Sequence, residues 1–151
     1  MQIVKAEIAD AEFIAAHLRA ADVLELSLAR SGVSPLQAIK ESVALSNWCK
    51  VIKVCDQPVV IYGLCPGEHA SIGVPWMVAT DGIAQITRQF VRGSIREAAD
   101  MLSQYPYICN MVHRENKLSI RWLHWLGFHI NPDPIGPSNA FNYFWKGNLN
   151  V

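Results

Sequence analysis

The stretch VATDGIAQITRQFVRG, residues 78 to 93, leads from an apolar run into a helix-like one, with Gly82-Ile83-Ala84 at the hand-over. The first amides of a helix lack partners inside it, and the aligned peptide dipoles make that end positive. A helix start that allows close approach therefore receives phosphate. Ile83, Ala84 and Gln85 carry amides of such a start, and Arg88, one turn on, adds a cation. The same residues carry a second reading. The Asp81 carboxylate at a helix cap satisfies those amides itself and repels an incoming phosphate, leaving Thr80-Asp81-Gly82 a capped turn. Arg88, Arg92 and Arg96 recur on one helix face, either to meet a phosphate or as a solvated stripe, and Glu97 and Asp100 dilute their charge.

These residues need elements to place them. QIVKAEI alternates as a half-buried strand, and Asp10 fits an N-cap before one or two amphipathic helices that stop at Gly32. Ser34-Pro35 opens a further helix. WCKVIKV and VVIYGLC, separated by Cys55-Asp56-Gln57-Pro58, read as a hairpin, and ASIGVPWMVAT follows as a strand whose Gly73 and Pro75 suggest an interrupted ladder. Ile83, Ile86, Phe90, Ser94, Ala98 and Met101 share one face of a helix from Ile83 to Leu102. YICNMVH is a strand, ENKLSIRWLHWLGF a helix ending at Gly127, and FNYFWKG an aromatic strand after a loop rich in Pro and Gly. The order predicts an α+β fold: a mixed sheet of six or seven strands with helices on both faces.

A chain of 151 residues with a formal net charge of zero is expected to form one domain, residues 1–151, without general affinity for nucleic acid. No apolar run reaches membrane-spanning length, and MQIVKAEIADAEF lacks the pattern of a signal peptide, so a cytoplasmic protein is expected. Cys49, Cys55, Cys65 and Cys109 show no close pairing of the kind a zinc or redox site needs and read as buried free thiols, with no metal site.

The element order, together with NKLSIRWLHWLGF, resembles the GCN5-related N-acetyltransferase family, whose last helix starts at an Asn and ends in Gly-Phe at the spacing of Asn116, Gly127 and Phe128. Within the family, WMVATD, the Phe90 helix and YICNMVH look most like a divergent bacteriophage branch that includes small internal virion proteins of short-tailed phages. The resemblance implies acetyl-CoA held at a Gln/Arg-x-x-Gly-x-Gly/Ala loop after the fourth strand, which here makes Val78, Thr80, Gly82, Ile83, Ala84, Gln85 and Arg88 its binding residues. Here Gly82-Ile83-Ala84 supplies the second half of that loop, while Ala79 stands where Gln or Arg belongs. A register shifted into the helix matches Arg88 and Gly93 but has Val91 for the first glycine; the first register is preferred because Gly82 sits at the hand-over.

The resemblance also implies an amine attacking the thioester directly, with a general base beside the amine and a proton donor for the departing thiolate. Base candidates are Glu25 in the early helical region, Glu68 or His69 in the loop before the fourth strand, and His113 at a strand end. Each is equally an ordinary surface or edge group. The donor is often a Tyr seven residues after the Asn, and here that position is Leu123. Asn116 corresponds to a side chain near the pantetheine arm and is also a good N-cap for its own helix. Trp122 and Trp125, with Leu118 and the aromatic final strand, either complete the core or leave a surface for a protein partner or self-association. Two functions follow: an acyl-CoA-dependent N-acetyltransferase acting on an unidentified amine, or a non-catalytic descendant serving as a phage virion or host-interaction protein.

Overall fold

A computed structural model describes residues 1–148. The elements run β1 (Gln2–Lys5), α1 (Ile8–Ala16), α2 (Ala20–Ala29), α3 (Pro35–Leu45), β2 (Trp48–Val54), β3 (Gln57–Pro66), β4 (Ile72–Ala79), a 3-10 helix (Asp81–Ile86), α4 (Thr87–Gln104), β5 (Tyr107–His113), α5 (Lys117–Trp125), β6 (His129–Ile135), a short 3-10 turn (Pro137–Asn139) and β7 (Phe141–Gly147). The seven strands form one mixed sheet in the order β1-β2-β3-β4-β5-β7-β6, flanked by helices. The chain divides into two compact units: Met1–Cys65 with Trp76–Arg88, and Pro66–Pro75 with Gln89–Val151.

In the first unit, Cys55 and Asp56 both take positive φ (50° and 63°) and close the β2–β3 hairpin in two residues. Such a turn matches the right-handed twist of the strands it joins. Gln57 and Pro58, expected in the loop, are strand residues; the register shifts between Ile52 and Lys53, where Lys53 faces Pro58, and this irregularity accommodates the missing amide. Ala11, Ile14, Ile39, Val51, Ile61 and Val78 form the buried cluster between helices and sheet. Asp10 is not the N-cap expected from sequence. The helix starts at Ile8, and Asp10, three residues past the cap, accepts the Glu7 amide at 2.9 Å and pairs with Lys53 at 3.1 Å. β1 is correspondingly shorter than QIVKAEI and exposed along its length, as an edge strand.

In the second unit, β7 pairs with β5 over seven residues and with β6 at both ends. The segment after Gly127, read from sequence as a loop, is this edge strand β6. Its prolines are tolerated because pairing lapses between Ile130 and Pro134, where the Asn142 side chain donates to the Asn131 carbonyl at 3.0 Å. Gly127, at φ +90°, ends α5: its amide reaches the His124 carbonyl and the Phe128 amide the Leu123 carbonyl, both at 3.0 Å. A side chain is strained at that φ, so glycine is needed there.

The cysteines are free, but Cys55 is exposed on its turn rather than buried, and the other three are half-buried. Burial pushes the Cys49 thiol up from 9.0 to about 12, with Cys65 and Asp10 adding to the shift. The folded chain thus keeps a proton that the unfolded chain releases, so stability present below pH 9.0 is lost as pH rises toward about 12. Across pH 9.0 to about 12, the urea midpoint of the wild type should fall more steeply than that of Cys49→Ala. Ile14→Ala, which empties a fully buried position, should cost about 2–5 kcal/mol in the same denaturation experiment.

Candidate active site

The C-terminal end of β4 is held from both edges. Backbone groups of successive strand residues point to opposite sides, and Thr80 donates its amide to the Val59 carbonyl of β3 at 2.9 Å. Ala79 therefore points away from β3. Its carbonyl accepts the Arg19 amide at 3.0 Å, and its amide donates to Asp22 Oδ2 at 2.9 Å. Arg19 Nε and Nη2 grip the two Asp22 oxygens at 2.9 and 3.0 Å. The alternation puts the Met77 N–H and C=O on the same side as those of Ala79.

This contact also explains why the early helical region is two helices. His17, Leu18 and Arg19 contain neither Gly nor Pro, yet the helix breaks there because Leu18 forms a bridge with Thr80 and Arg19 donates to Ala79. In α2 the buried residue is Asp22, 3% exposed, while Val23 and Leu24 are 45% and 46% exposed.

Beyond β4 the chain makes one 3-10 stretch before α4, so the regular helix begins at Thr87, a turn later than the periodicity predicts. Thr80 is the cap: its hydroxyl accepts the Gly82 amide at 3.2 Å and its carbonyl the Ile83 amide at 3.2 Å. Asp81, the cap expected from sequence, is exposed. A Cβ on Gly82 would lie 3.1 Å from Thr80 Oγ1 and 3.3 Å from Val59, so the glycine serves close packing within the protein. Ala84, Gln85 and Arg88 are exposed, Ile83 is half-buried and Val78 buried. Gly93 lies within α4 with nothing within 4 Å of a built Cβ, so the alternative loop register falls inside a regular helix.

In the second unit, β4 pairs in parallel with β5 at Ile72–Tyr107 and Gly73–Ile108. Asn110 Nδ2 then donates to the Pro75 carbonyl at 2.8 Å, while its Oδ1 accepts the Met111 amide at 2.8 Å. The Pro75 nitrogen lies on the same strand side as that carbonyl and has no hydrogen, so the side chain stands in where the ladder cannot continue. His113 is buried against Phe141, and its Nδ1 accepts the Glu115 amide at 3.1 Å. Asn116 caps α5 by accepting the Ser119 amide at 3.3 Å. Leu123 is buried, and His124 is exposed. Trp122 donates to Ser94 Oγ at 3.1 Å and lies 5.4 Å from Phe90, whereas Leu118 and Trp125 are 71% and 54% exposed. Glu68 and His69 are exposed in the loop before β4. On β5 and β7, a hydrogen bond with Cys109 raises Tyr143 to about 12, with burial adding to the shift.

No protein-family model and no curated protein matches the chain. Solved structures do. Ribosomal-protein-alanine N-acetyltransferase from Brucella melitensis superposes with a TM-score of 0.70 at 17% identity, over 98% of this chain and all (100%) of that one. Aminoglycoside 6'-acetyltransferase type Ii gives 0.67 at 15% identity, over 97% of both chains. The yncA protein of Salmonella typhimurium, solved with its cofactor acetyl-CoA, gives 0.62 at 12% identity, over 97% of this chain and 93% of that one. The chain has the GCN5-related N-acetyltransferase fold.

Within this acetyltransferase fold, Glu25, which is half-buried on α2, and the whole of Val78 to Arg88 belong to the first unit. Glu68, His69, His113 and Asn116 belong to the second. Reading the sequence missed Arg19, Asp22 and Asn110. The one signal for the first two is a charged pair three residues apart in an otherwise apolar stretch, LRAADVLEL; Asn110 carries none beyond an amide in a strand run.

Thr80→Ala should lower stability by about 0.5–2 kcal/mol, the cost of a lost helix cap, in thermal unfolding. Gly93→Ala should raise it by about 0.5–1 kcal/mol, since the added methyl meets nothing and the unfolded chain loses freedom.

Proposed function

We propose that the chain is an acyl-CoA-dependent N-acyltransferase. The observation that carries this reading is the acetyltransferase fold itself, with an exposed turn after β4 at Asp81, Ala84 and Gln85 and Arg88 one turn on. A helix start with a cation beside it suits phosphates. The backbone of Gly82 to Gln85 and the Arg88 guanidinium hold the pyrophosphate in this reading; Asn116 is assigned to the pantetheine arm by resemblance. Acetyl-CoA supplies a thioester. The amine nitrogen bonds to its carbonyl carbon, the carbon–sulfur bond breaks, and the sulfur takes up a proton as the amine loses one. Glu25, in the same unit as the cradle, is the candidate to receive the amine proton. Holding the two reactants together supplies much of the rate.

One set of contacts favours a second reading, a non-catalytic binding or structural protein of the same fold, such as the phage virion component the sequence resembles. The Gly82 amide is taken by Thr80, the Ala79 edge by Arg19 and Asp22, and Leu123 has no proton to give.

Calorimetric titration of acetyl-CoA into the protein tests the first reading. Saturable binding at about micromolar strength, with about 4 kcal/mol of stabilisation at about millimolar ligand, is expected. No heat and no stabilisation would sink it in favour of the second. Removing the carboxylate by Asp81→Asn should tighten acetyl-CoA about two- to fivefold, the effect of one charge at a helix start. Gly82→Pro, which removes the amide nearest the cap, should abolish saturable binding.

A further inference from the structure

We propose that the Arg19–Asp22 pair is the positioning element of the acyl-CoA site: it fixes the end of β4 and so the direction in which the amides of the following helix start face. The inference rests on the acyl-CoA reading above.

Three contacts converge on one carboxylate. Asp22 is 3% exposed, and it accepts from Arg19 Nε at 2.9 Å, Arg19 Nη2 at 3.0 Å and the Ala79 amide at 2.9 Å. Ala79 is the last residue of β4, itself fully buried, and Thr80 beside it is the cap of the 3-10 helix. Each residue has only two soft torsions, so between the latched Ala79 and the Gly82 amide the chain has little freedom to turn. β3 holds the opposite edge through the Thr80 amide, and Leu18 bridges to Thr80. With either edge released, the strand end could pivot about the other; with both held, the amides of the helix start have one direction.

The ion pair and the contact to Ala79 differ in what they do. A buried ion pair is often no more stabilising than apolar residues of similar volume. The third contact is different, because an apolar replacement at residue 22 fills the space but cannot accept the Ala79 amide. A helix residue here spends its charge on the backbone of another element, at the point where that element enters the candidate cradle.

Amide hydrogen exchange and acetyl-CoA titration on the same variants test the proposal. Asp22→Ala should speed exchange of the amides of residues 79 and 82–86 about tenfold or more, the loss of a charge-assisted hydrogen bond, while the β2–β3 hairpin exchanges as in the wild type. It should weaken acetyl-CoA by a comparable factor. Asp22→Asn keeps an acceptor oxygen for Ala79 and should recover part of both losses, which a purely electrostatic role would not allow. Unchanged exchange at residues 82–86 in Asp22→Ala overturns the proposal, as does unchanged acetyl-CoA affinity. If the wild type binds no acetyl-CoA, the acyl-CoA reading fails on its own, and the exchange rates alone decide whether the pair positions the helix start. Should Asp22→Ala not fold, Arg19→Gln takes its place: accelerated exchange at residues 79–86 supports the latch, and wild-type rates there exclude it.

Discussion

The buried carboxylate of Asp22 ties α2 to the end of β4 in the half of the molecule that carries the candidate cradle. Asp22 cannot sit out of water unpaired, since an ionised group without partners in the interior is too costly to keep. Its partners come from its own helix start and from the end of β4. The orientation of α2, with its aspartate buried and two of its apolar side chains exposed, and the occupied amide of Ala79 go with satisfying that group, while the break between α1 and α2 goes with the backbone contacts of Leu18 and Arg19 to Thr80 and Ala79. Among the described residues, no buried side-chain nitrogen or oxygen lacks a partner.

The same contact shapes what the strand edge offers a ligand. A hydrogen bond to a charged group contributes roughly 1.5–3 kcal/mol and one between neutral groups roughly 0.5–1.5 kcal/mol, so a ligand amide does not displace Asp22 from Ala79. The helix start is organised in a similar spirit. Thr80, a neutral hydroxyl, holds the Gly82 amide, and a neutral cap yields to a phosphate more readily than a carboxylate would. Because Asp81 is exposed, it acts on an incoming anion through its charge, while Thr80 holds the Gly82 and Ile83 amides.

The second unit solves a related difficulty with different chemistry. Pro75 deprives β4 of an amide, and Asn110 replaces the missing ladder with its own side chain. Trp122 divides its surface between the Ser94 hydroxyl and the Phe90 ring, so the aromatic residues of α5 are partly core, while Leu118 and Trp125 stay outside. His113 uses its ring to accept a backbone amide, a structural role that occupies the nitrogen facing the next turn.

Much of this was legible in the sequence because it depends on neighbours along the chain. The Ser34-Pro35 start of α3, the Gly127 stop of α5, the Asn116 cap, the hairpin around Cys55-Asp56 and the long helical face from Ile86 to Met101 are each set within a few residues, where backbone preference and side-chain periodicity act. The resemblance carried by Asn116, Gly127 and Phe128 led to the right fold for the same reason. What the sequence could not decide were contacts whose partners lie far apart in it. Asp22 and Ala79 are 57 residues apart, and nothing local says that an aspartate in an apolar helix will turn inward to hold a strand. The cap passed from Asp81 to Thr80, and β6 formed through two prolines, because the packed sheet sets which backbone groups need partners. Local sequence thus determined the elements and their ends, and tertiary structure decided which polar groups are spent inside the fold and which remain for a ligand.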